Sequence, residues 1–452
     1  MIHTAKLRQL ILPAILILAA FTAYIPHIGY PYPLHVDEWF HITVAEEVIH
    51  NNAVDLYSGQ PFRLGMERAW HLMLAGIFLI FPPLKVYPFL VAALFILATL
   101  SVYTFAKRYG ERIALIAAFL TALIPSNVTI GGPSLLVPVN LSLIFTPLAL
   151  KFAFDKKPNL LVVFLCTLFL LYAHPPSAMV LLILLGTYAL LNVKEDKTRA
   201  KSLFITIFAA VIASVPNYAG RIAEKGMESA TFSFWLFVEQ TPLLFGYITT
   251  VFFIAGFYML TRTKEKENWA LIIALLFLLI DIFVYTRIST SFFVPYVRVF
   301  IPMMFIMSVI AAYALAKVKS NILLGVILAA ILALSLQHNY ETPYYHMINE
   351  TEYSDMVWIN ENLDKNAIIL ADPWKARPIP TITGMRVFTV LPFGPDSKEL
   401  EQNQKAIDFF RNNCTDTQFL KDNNISVIYA PVECNNQDLK RVHNNTYILE
   451  NR

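Results

Sequence analysis

Residues 69–82 read AWHLMLAGIFLIFP. The run is apolar enough to enter a bilayer, yet it is short of the ~20 residues that about 30 Å of hydrocarbon demands of a helix. Whether it crosses fixes the side of every later loop. Lys and Arg gather at Lys6/Arg8, KRYGER (107–112), KFAFDKK (151–157), KEDKTRAK (194–201), RTKEKE (262–267) and KVK (317–319), and cytoplasmic loops collect such charges. A crossing at 69–82 followed by another at 85–106 would put KRYGER outside and spoil the pattern at each later loop. We therefore read 69–82 as a short helix that does not cross. Crossings are then expected at 10–28, 85–106, 111–126, 134–152, 159–173, 177–193, 202–218, 241–261, 269–286, 296–316 and 320–336, eleven in all. The N-terminus is cytoplasmic in this reading, and a long first external loop spans 29–84.

Composition agrees with a polytopic α-helical membrane protein. The chain has 452 residues, 57% of them apolar and 15% charged, with a mean hydropathy of +0.55; soluble domains are less apolar and more charged. The N-terminal run after Lys6 and Arg8 has no small-residue cleavage site and reads as a retained signal-anchor. Beyond Ser335 the text changes to polar, Asn-rich runs with short apolar strands and no candidate span. The expectation is a membrane domain over 1–336 and an extracytoplasmic soluble domain over 337–452.

That tail reads as α/β. TEYSDMVWINENLDK gives an amphipathic helix with Met356, Ile359 and Leu363 on one side, and AIILA a strand. PTITGMRVFTV offers another strand, KELEQNQKAIDFFRNN a helix, and ISVIYA a buried strand. Four of the six Asn-x-Ser/Thr sequons, at Asn349, Asn413, Asn424 and Asn444, and two of the three cysteines, Cys414 and Cys434, lie there. Both features suit an external location, where sequons can be modified and a disulfide can persist. Cys166 falls within a helix, where packing is its simplest role.

The first loop concentrates acids and histidines. Within HVDEWFH and the residues after it, DEWFHITVAEEVIH (37–50) suits an amphipathic helix with Trp39, Ile42, Val44 and Val48 toward the bilayer and Glu46, Glu47 and His50 toward water. Asp37 at its start has two readings: a helix N-cap, or, with Glu38, a general base whose carboxylate gains proton affinity beside apolar surface. A base of this kind, acting on a substrate with a departing phosphate, calls for a cation. Arg287 and Arg298 in YTRISTSFFVPYVRVFIP, and Arg63 and Arg68 in PFRLGMERAW, are the external ones. Arg298 has the fork that matches a lipid phosphate, and as an interfacial anchor it would equally snorkel. Asp281, about one turn below the external end of its helix, either bonds a neighbouring helix or lines a cavity. His174, in YAHPPS, either ends a helix together with Pro175 and Pro176 or lines the same cavity. Metal-ligand types occur at His35, Asp37, Glu38 and His41, but H-E-x-x-H is absent, and a spacing of six does not place two histidines on one helical face. Phosphate-loop and Walker motifs are missing, and the mixed external charge does not suit nucleic acid.

On these residues the chain resembles the GT-C class of polytopic glycosyltransferases, in which the first external loop carries a short acidic motif, two non-crossing helices and the catalytic acid. HVDEWFHITVAEEVI stands at that position, and the pair Asp37/Glu38 is similar to the acidic pair of protein O-mannosyltransferases and lipid A aminoarabinose transferases. YGERIALIAAFLTALIPSNVTIGGPSLLVPVNLSLIFTPLALKF (109–152) resembles oligosaccharyltransferase catalytic subunits and their archaeal relatives. YVRVFIPMMFIMSVIAAYAL looks like their Arg-then-Pro helix, whose arginine accompanies lipid phosphate and falls on Arg298. Two departures matter. After IGG (130–132) stand Pro133, Ser134 and Leu135 where that family places acids that bind a divalent cation, and the tail lacks W-W-D.

The resemblance thus implies transfer of a sugar from a polyprenyl or dolichyl phosphate donor to a glycan, lipid or protein acceptor on the outer face, without a required metal or other cofactor. Asp37 or Glu38 would be catalytic, and His41, Arg63, His174, Asp281, Arg287 and Arg298 substrate-binding. The other reading is a transporter or flippase of lipid-linked or small polar substrates, but no inverted repeat or paired midplane helix break supports it.

Overall fold

The structure is a computed structural model and describes residues 2–218, 242–288, 298–391, 398–430 and 432–450. Part of the expected external loop before the tenth crossing, residues 289–297, lies outside the described residues. The described residues divide into two compact units, one of Met1–Pro31, Met66–Trp70 and Leu84–Tyr344, the other of Tyr32–Gly65, His71–Pro83 and Tyr345–Arg452.

The first unit is helical: α1 Ile2–Tyr24, α4 Pro83–Ala106, α5 Glu111–Thr121, α6 Leu141–Phe154, α7 Leu160–Ala173, α8 Pro175–Asn192, α9 Lys197–Tyr218, α10 Tyr247–Thr261, α11 Lys266–Ile288, α12 Phe300–Leu315 and α13 Asn321–Glu341. Backbone N–H and C=O groups in hydrocarbon must be satisfied within the segment, so an apolar run there is helical. Each expected crossing overlaps one of these helices, and six spans among the described residues are long and apolar enough to cross. Two depart from expectation. The third crossing, read over 111–126, stops at Thr121 after 11 residues, about 16 Å of helix. The fourth, read from 134, starts as a tight turn at Pro138–Asn140. There Asn140 Nδ2 donates to Gly132 O (2.8 Å) and Leu135 O (2.7 Å), which holds the preceding segment in an irregular path.

Helix α12 is the centre of this unit, buried along its length except at Tyr313. Helix α10 reaches it at Gly256, where an added Cβ would strike the Ile310 carbonyl. Small residues allow such backbone approach between apolar helices. At one end of the unit the basic clusters meet. Arg108 pairs with Glu267 (3.3 Å) and donates to Phe154 O, Lys266 pairs with Glu195 (2.7 Å), Arg199 donates to Lys156 O (2.7 Å), and Arg112 donates to Val318 O (2.8 Å). Five clusters assigned to one side by charge alone are therefore physically joined.

The second unit contains α2 Val36–His50, the helices α14 Glu350–Asn362, α15 Pro378–Thr383, α16 Lys398–Arg411 and α17 Thr417–Asp422, and the strands β1 Ile368–Ala371, β2 Arg386–Val387, β3 Ile425–Tyr429, β4 Leu439–His443 and β5 Thr446–Leu449. The run at 69–82 forms α3 Arg68–Phe78, 11 residues long. The sheet order is β2-β1-β3-β5-β4, with β1 parallel to β2 and β3 and the β4–β5 hairpin antiparallel to β3. Met356 and Ile359 are buried as expected, and ISVIYA is a buried central strand. PTIT, expected as strand, is instead a helix, because two prolines at its start withhold ladder donors and pre-set helical φ. Gly59 has φ +67°, a conformation that residues with a Cβ rarely adopt, and a Cβ there would meet the Arg386 guanidinium.

Helix α2 departs most from its sequence reading. Trp39, Ile42 and Val44 are enclosed by protein rather than facing a bilayer, and Glu47, expected in water, is 0% exposed. Burial raises the Glu46 carboxyl to about 7 and Glu47 to about 8, the latter despite the hydrogen bond Glu47 Oε1 accepts from Leu56 N–H (2.6 Å).

Cys414 and Cys434 form a disulfide, with Cα atoms 5.1 Å apart. Cys414 sits in the core with Leu370, Phe388, Phe409 and Ile428. A loop of this size loses roughly 3 kcal/mol of unfolded-state entropy on cross-linking. Cys434→Ser, or a thiol reductant, should lower the stability of the protein by about that amount, read as a lower melting midpoint in detergent. The α2 acids set a second expectation. Their folded values lie above the ordinary carboxyl value of 4.5, so the folded state holds the extra protons and stability falls as pH rises. The melting midpoint should drop between pH 4.5 and 8, and Glu47→Gln, which keeps an acceptor for Leu56, should flatten the drop.

Candidate active site

The acid pair stands at the first turn of α2, and the helix start treats its two members differently. His35 is the N-cap in extended conformation, φ −140° and ψ 149°, with Nδ1 accepting from Asp37 N–H at 3.1 Å. Glu38 Oε2 reaches back to accept from the N–H of His35 (2.9 Å) and of Leu34 (2.8 Å). This is a reciprocal capping box with histidine in the usual Ser/Thr place. Asp37 is thus not the cap. Glu38 is 0% exposed and holds the chain entering the helix, whereas the Asp37 side chain is 34% exposed. Asp37 Oδ2 lies 3.7 Å from His35 Nδ1. That nitrogen accepts a backbone hydrogen and so has no proton to give Asp37 while the cap is made.

Further along α2, His41 Nδ1 meets His71 Nε2 at 3.0 Å, both rings buried. Burial holds the His71 imidazole down at about 4, so it is neutral near pH 7. One ring therefore donates and the other accepts.

Sequence reading missed Arg377. It is buried, and its guanidinium lies over the rings of Phe40 (5.5 Å) and Tyr57 (5.0 Å). Phe40 is one turn along α2 from Asp37. Tyr57 donates to Arg377 O (2.7 Å), and its hydroxyl contacts Thr43, which in turn contacts Thr381 at 2.7 Å. Burial outweighs the Arg377 charge and the hydrogen bond to Thr43, pushing the Tyr57 phenol up to about 12. The only signal in the text was WKAR before Pro-Ile-Pro, two cations ahead of a rigid helix start. Arg63, in the same unit, is exposed.

In the helical unit, His174 and Arg298 are near enough for the arginine charge to act on the ring, which burial and that charge hold well below its ordinary value. His174 caps α8, with Nδ1 2.6 Å from Ser177 Oγ. Arg298 is half-buried just before α12. Asp281 is buried inside α11. Arg287, at the exposed end of α11, lies over the Phe283 ring at 5.4 Å, a surface cation on an aromatic neighbour. Of the sequons, Asn444 is committed internally, donating to buried Asp355 at 2.6 Å.

No protein-family model matches the chain, and no curated protein matches it. Solved structures do. ArnT from Cupriavidus metallidurans bound to undecaprenyl phosphate superposes with a TM-score of 0.61 at 10% identity, covering 97% of each chain. The Archaeoglobus fulgidus oligosaccharyltransferase in the apo form gives 0.60 at 12% identity, over 92% of this chain and 69% of that one. The same archaeal enzyme, AglB, in complex with an inhibitory peptide and a dolichol-phosphate, gives 0.60 at 12%, over 93% and 69%. Identities this low carry the fold. With its apolar helices and small C-terminal sheet, the chain has the membrane fold of GT-C glycosyltransferases.

Proposed function

We propose that the chain is an integral membrane glycosyltransferase that moves a sugar from a polyprenyl- or dolichyl-phosphate donor to a glycan, lipid or protein acceptor on the extracytoplasmic face. The observation that carries this reading is the inequality of the acid pair. On the first-loop helix of a GT-C fold, the capping box occupies Glu38 and leaves Asp37 partly exposed. A carboxylate so placed suits a general base.

In this mechanism Asp37 takes the proton of the acceptor nucleophile as that atom bonds to the anomeric carbon. The bond from that carbon to the phosphate oxygen breaks in the same displacement, so configuration inverts. The lipid phosphate leaves toward the bidentate guanidinium of Arg298, whose charge stabilises the developing anion. His174 beside it, kept neutral, adds no competing positive charge. Asp281, His41, Arg63 and Arg287 are assigned to binding the remainder of the substrates. Catalysis in this reading draws on protein groups without a divalent cation. Residues 1–336 form the membrane part with a cytoplasmic N-terminus, and 337–452 stand outside.

The test is transfer of radiolabelled sugar from a panel of polyprenyl-phosphate donors in native membranes. Asp37→Asn should cut transfer by roughly 10²–10⁴-fold with an unchanged melting midpoint. Glu38→Ala should lower the midpoint by removing two backbone hydrogen bonds from the helix start. Full activity of the Asp37→Asn variant would return Asp37 to a surface role. A chelator should leave the wild-type rate unchanged, and loss of activity restored by one added divalent metal would overturn the metal-independent mechanism.

A further inference from the structure

The far end of α2 frames a cavity that the transfer mechanism does not use. It lies wholly within the second unit, between the last turns of α2, the loop after it, and the α14–α15 region, with a volume of about 450 Å³. That falls within the ~300–1,000 Å³ of small-molecule sites. Glu46, Glu47, His50 and Asn52 line one side and Asn360 and Lys365 the other. At 1.5 Å per residue, Glu47 is about 15 Å along the helix from Asp37. A group held here is not the one reacting.

Three features point to a ligand. Glu47 is fully buried, and its Oε2 has no hydrogen-bond partner among the described residues. Such an atom is destabilising unless something outside the chain engages it. For Glu46 beside it, desolvation is the single cause that raises the carboxyl, with no cation or donor among the described residues to offset it. Across the cavity, Lys365 donates to Thr383 O (3.0 Å) and to Asn360 Oδ1, so its ammonium is tied to neutral oxygens rather than to an acid.

The chemistry of the lining selects the ligand class. Carboxyls whose proton affinity burial raises to about 7 and about 8 are part protonated near neutral pH and can donate as well as accept, as can the two carboxamides and the imidazole. A phosphate would meet acids and one already engaged lysine. A metal ion needs ligand atoms that converge, and these side chains do not form a convergent set of three. A mixed array of donors and acceptors over apolar Leu56, Pro380 and Ile382 suits a neutral, hydroxyl-rich molecule.

We propose that this cavity binds a saccharide and, resting on the glycosyl-transfer reading, that it holds a sugar unit of the acceptor remote from the reacting atom. Remote binding of this kind orients the acceptor and excludes those that lack the unit.

The experiment is saturation-transfer NMR on the full-length protein in detergent, with no donor present. The probes are methyl α-mannoside, methyl β-glucoside, N-acetylglucosamine, maltose and chitobiose, with inorganic phosphate and ethylamine as controls. At least one saccharide should bind at millimolar concentration. Glu46→Ala and Asn360→Ala should each weaken it about tenfold, or roughly 1.4 kcal/mol, and Ile382→Trp, which fills the cavity, should abolish it. Asp37→Asn should bind as wild type does. No saccharide binding, binding indifferent to all three cavity substitutions, or binding of phosphate or ethylamine instead would overturn the proposal. Because the measurement needs neither donor nor turnover, failure of the transfer reading leaves its result intact, and a negative result here leaves Asp37 untouched.

Discussion

Thr43 on α2 shares a hydrogen bond with Thr381 at 2.7 Å, and Thr381 also donates to the Trp39 carbonyl. Through this contact α15, from near the C-terminal end of the chain, closes over α2 from near its beginning. The consequences run along the helix. Tyr57 and Arg377 join the same network, Trp39 and Ile42 lose contact with solvent, and Glu47 goes under with them. The second unit joins residues more than 300 positions apart, such as Thr43 and Thr381, because α2 is buried along most of its length and a helix in that state needs partners on several sides.

Enclosure also explains how the two ends of one helix differ. At its start, two N–H groups outside the helix would be left unsatisfied, and the Glu38 carboxylate takes both. That leaves its neighbour Asp37 at the surface. At its far end the acids are desolvated without cationic partners, and their proton affinity rises instead. Two adjacent acids at either end of α2 thus differ by what surrounds them, not by composition.

The helical unit rests on different physics. Its helices follow from the need to satisfy backbone groups in hydrocarbon, and its order is visible where charged loops meet at one end through Arg108, Glu267, Lys266 and Arg199. Such contacts between exposed or half-exposed charges contribute little stability individually. Their value here is registration, since each links a different pair of interhelical loops.

The sequence by itself determined the apolar helices, the short helical run at 69–82, the common end of the basic loops, the α/β tail and the acid pair at a helix start. All are local: a hydrophobic period, a charge count or a Pro-Gly break is written in consecutive residues. Tertiary structure decided the rest. Which face of α2 is covered depends on Thr381, more than 300 residues away, so Glu47 reads as a solvated residue until α15 arrives. Arg377 likewise looks like a surface cation until Phe40 and Tyr57 are seen beneath it. The division of labour between Asp37 and Glu38 turned on a histidine cap that ordinary capping preferences do not favour. Desolvation and long-range pairing are properties of the assembled neighbourhood, and no window of sequence contains them.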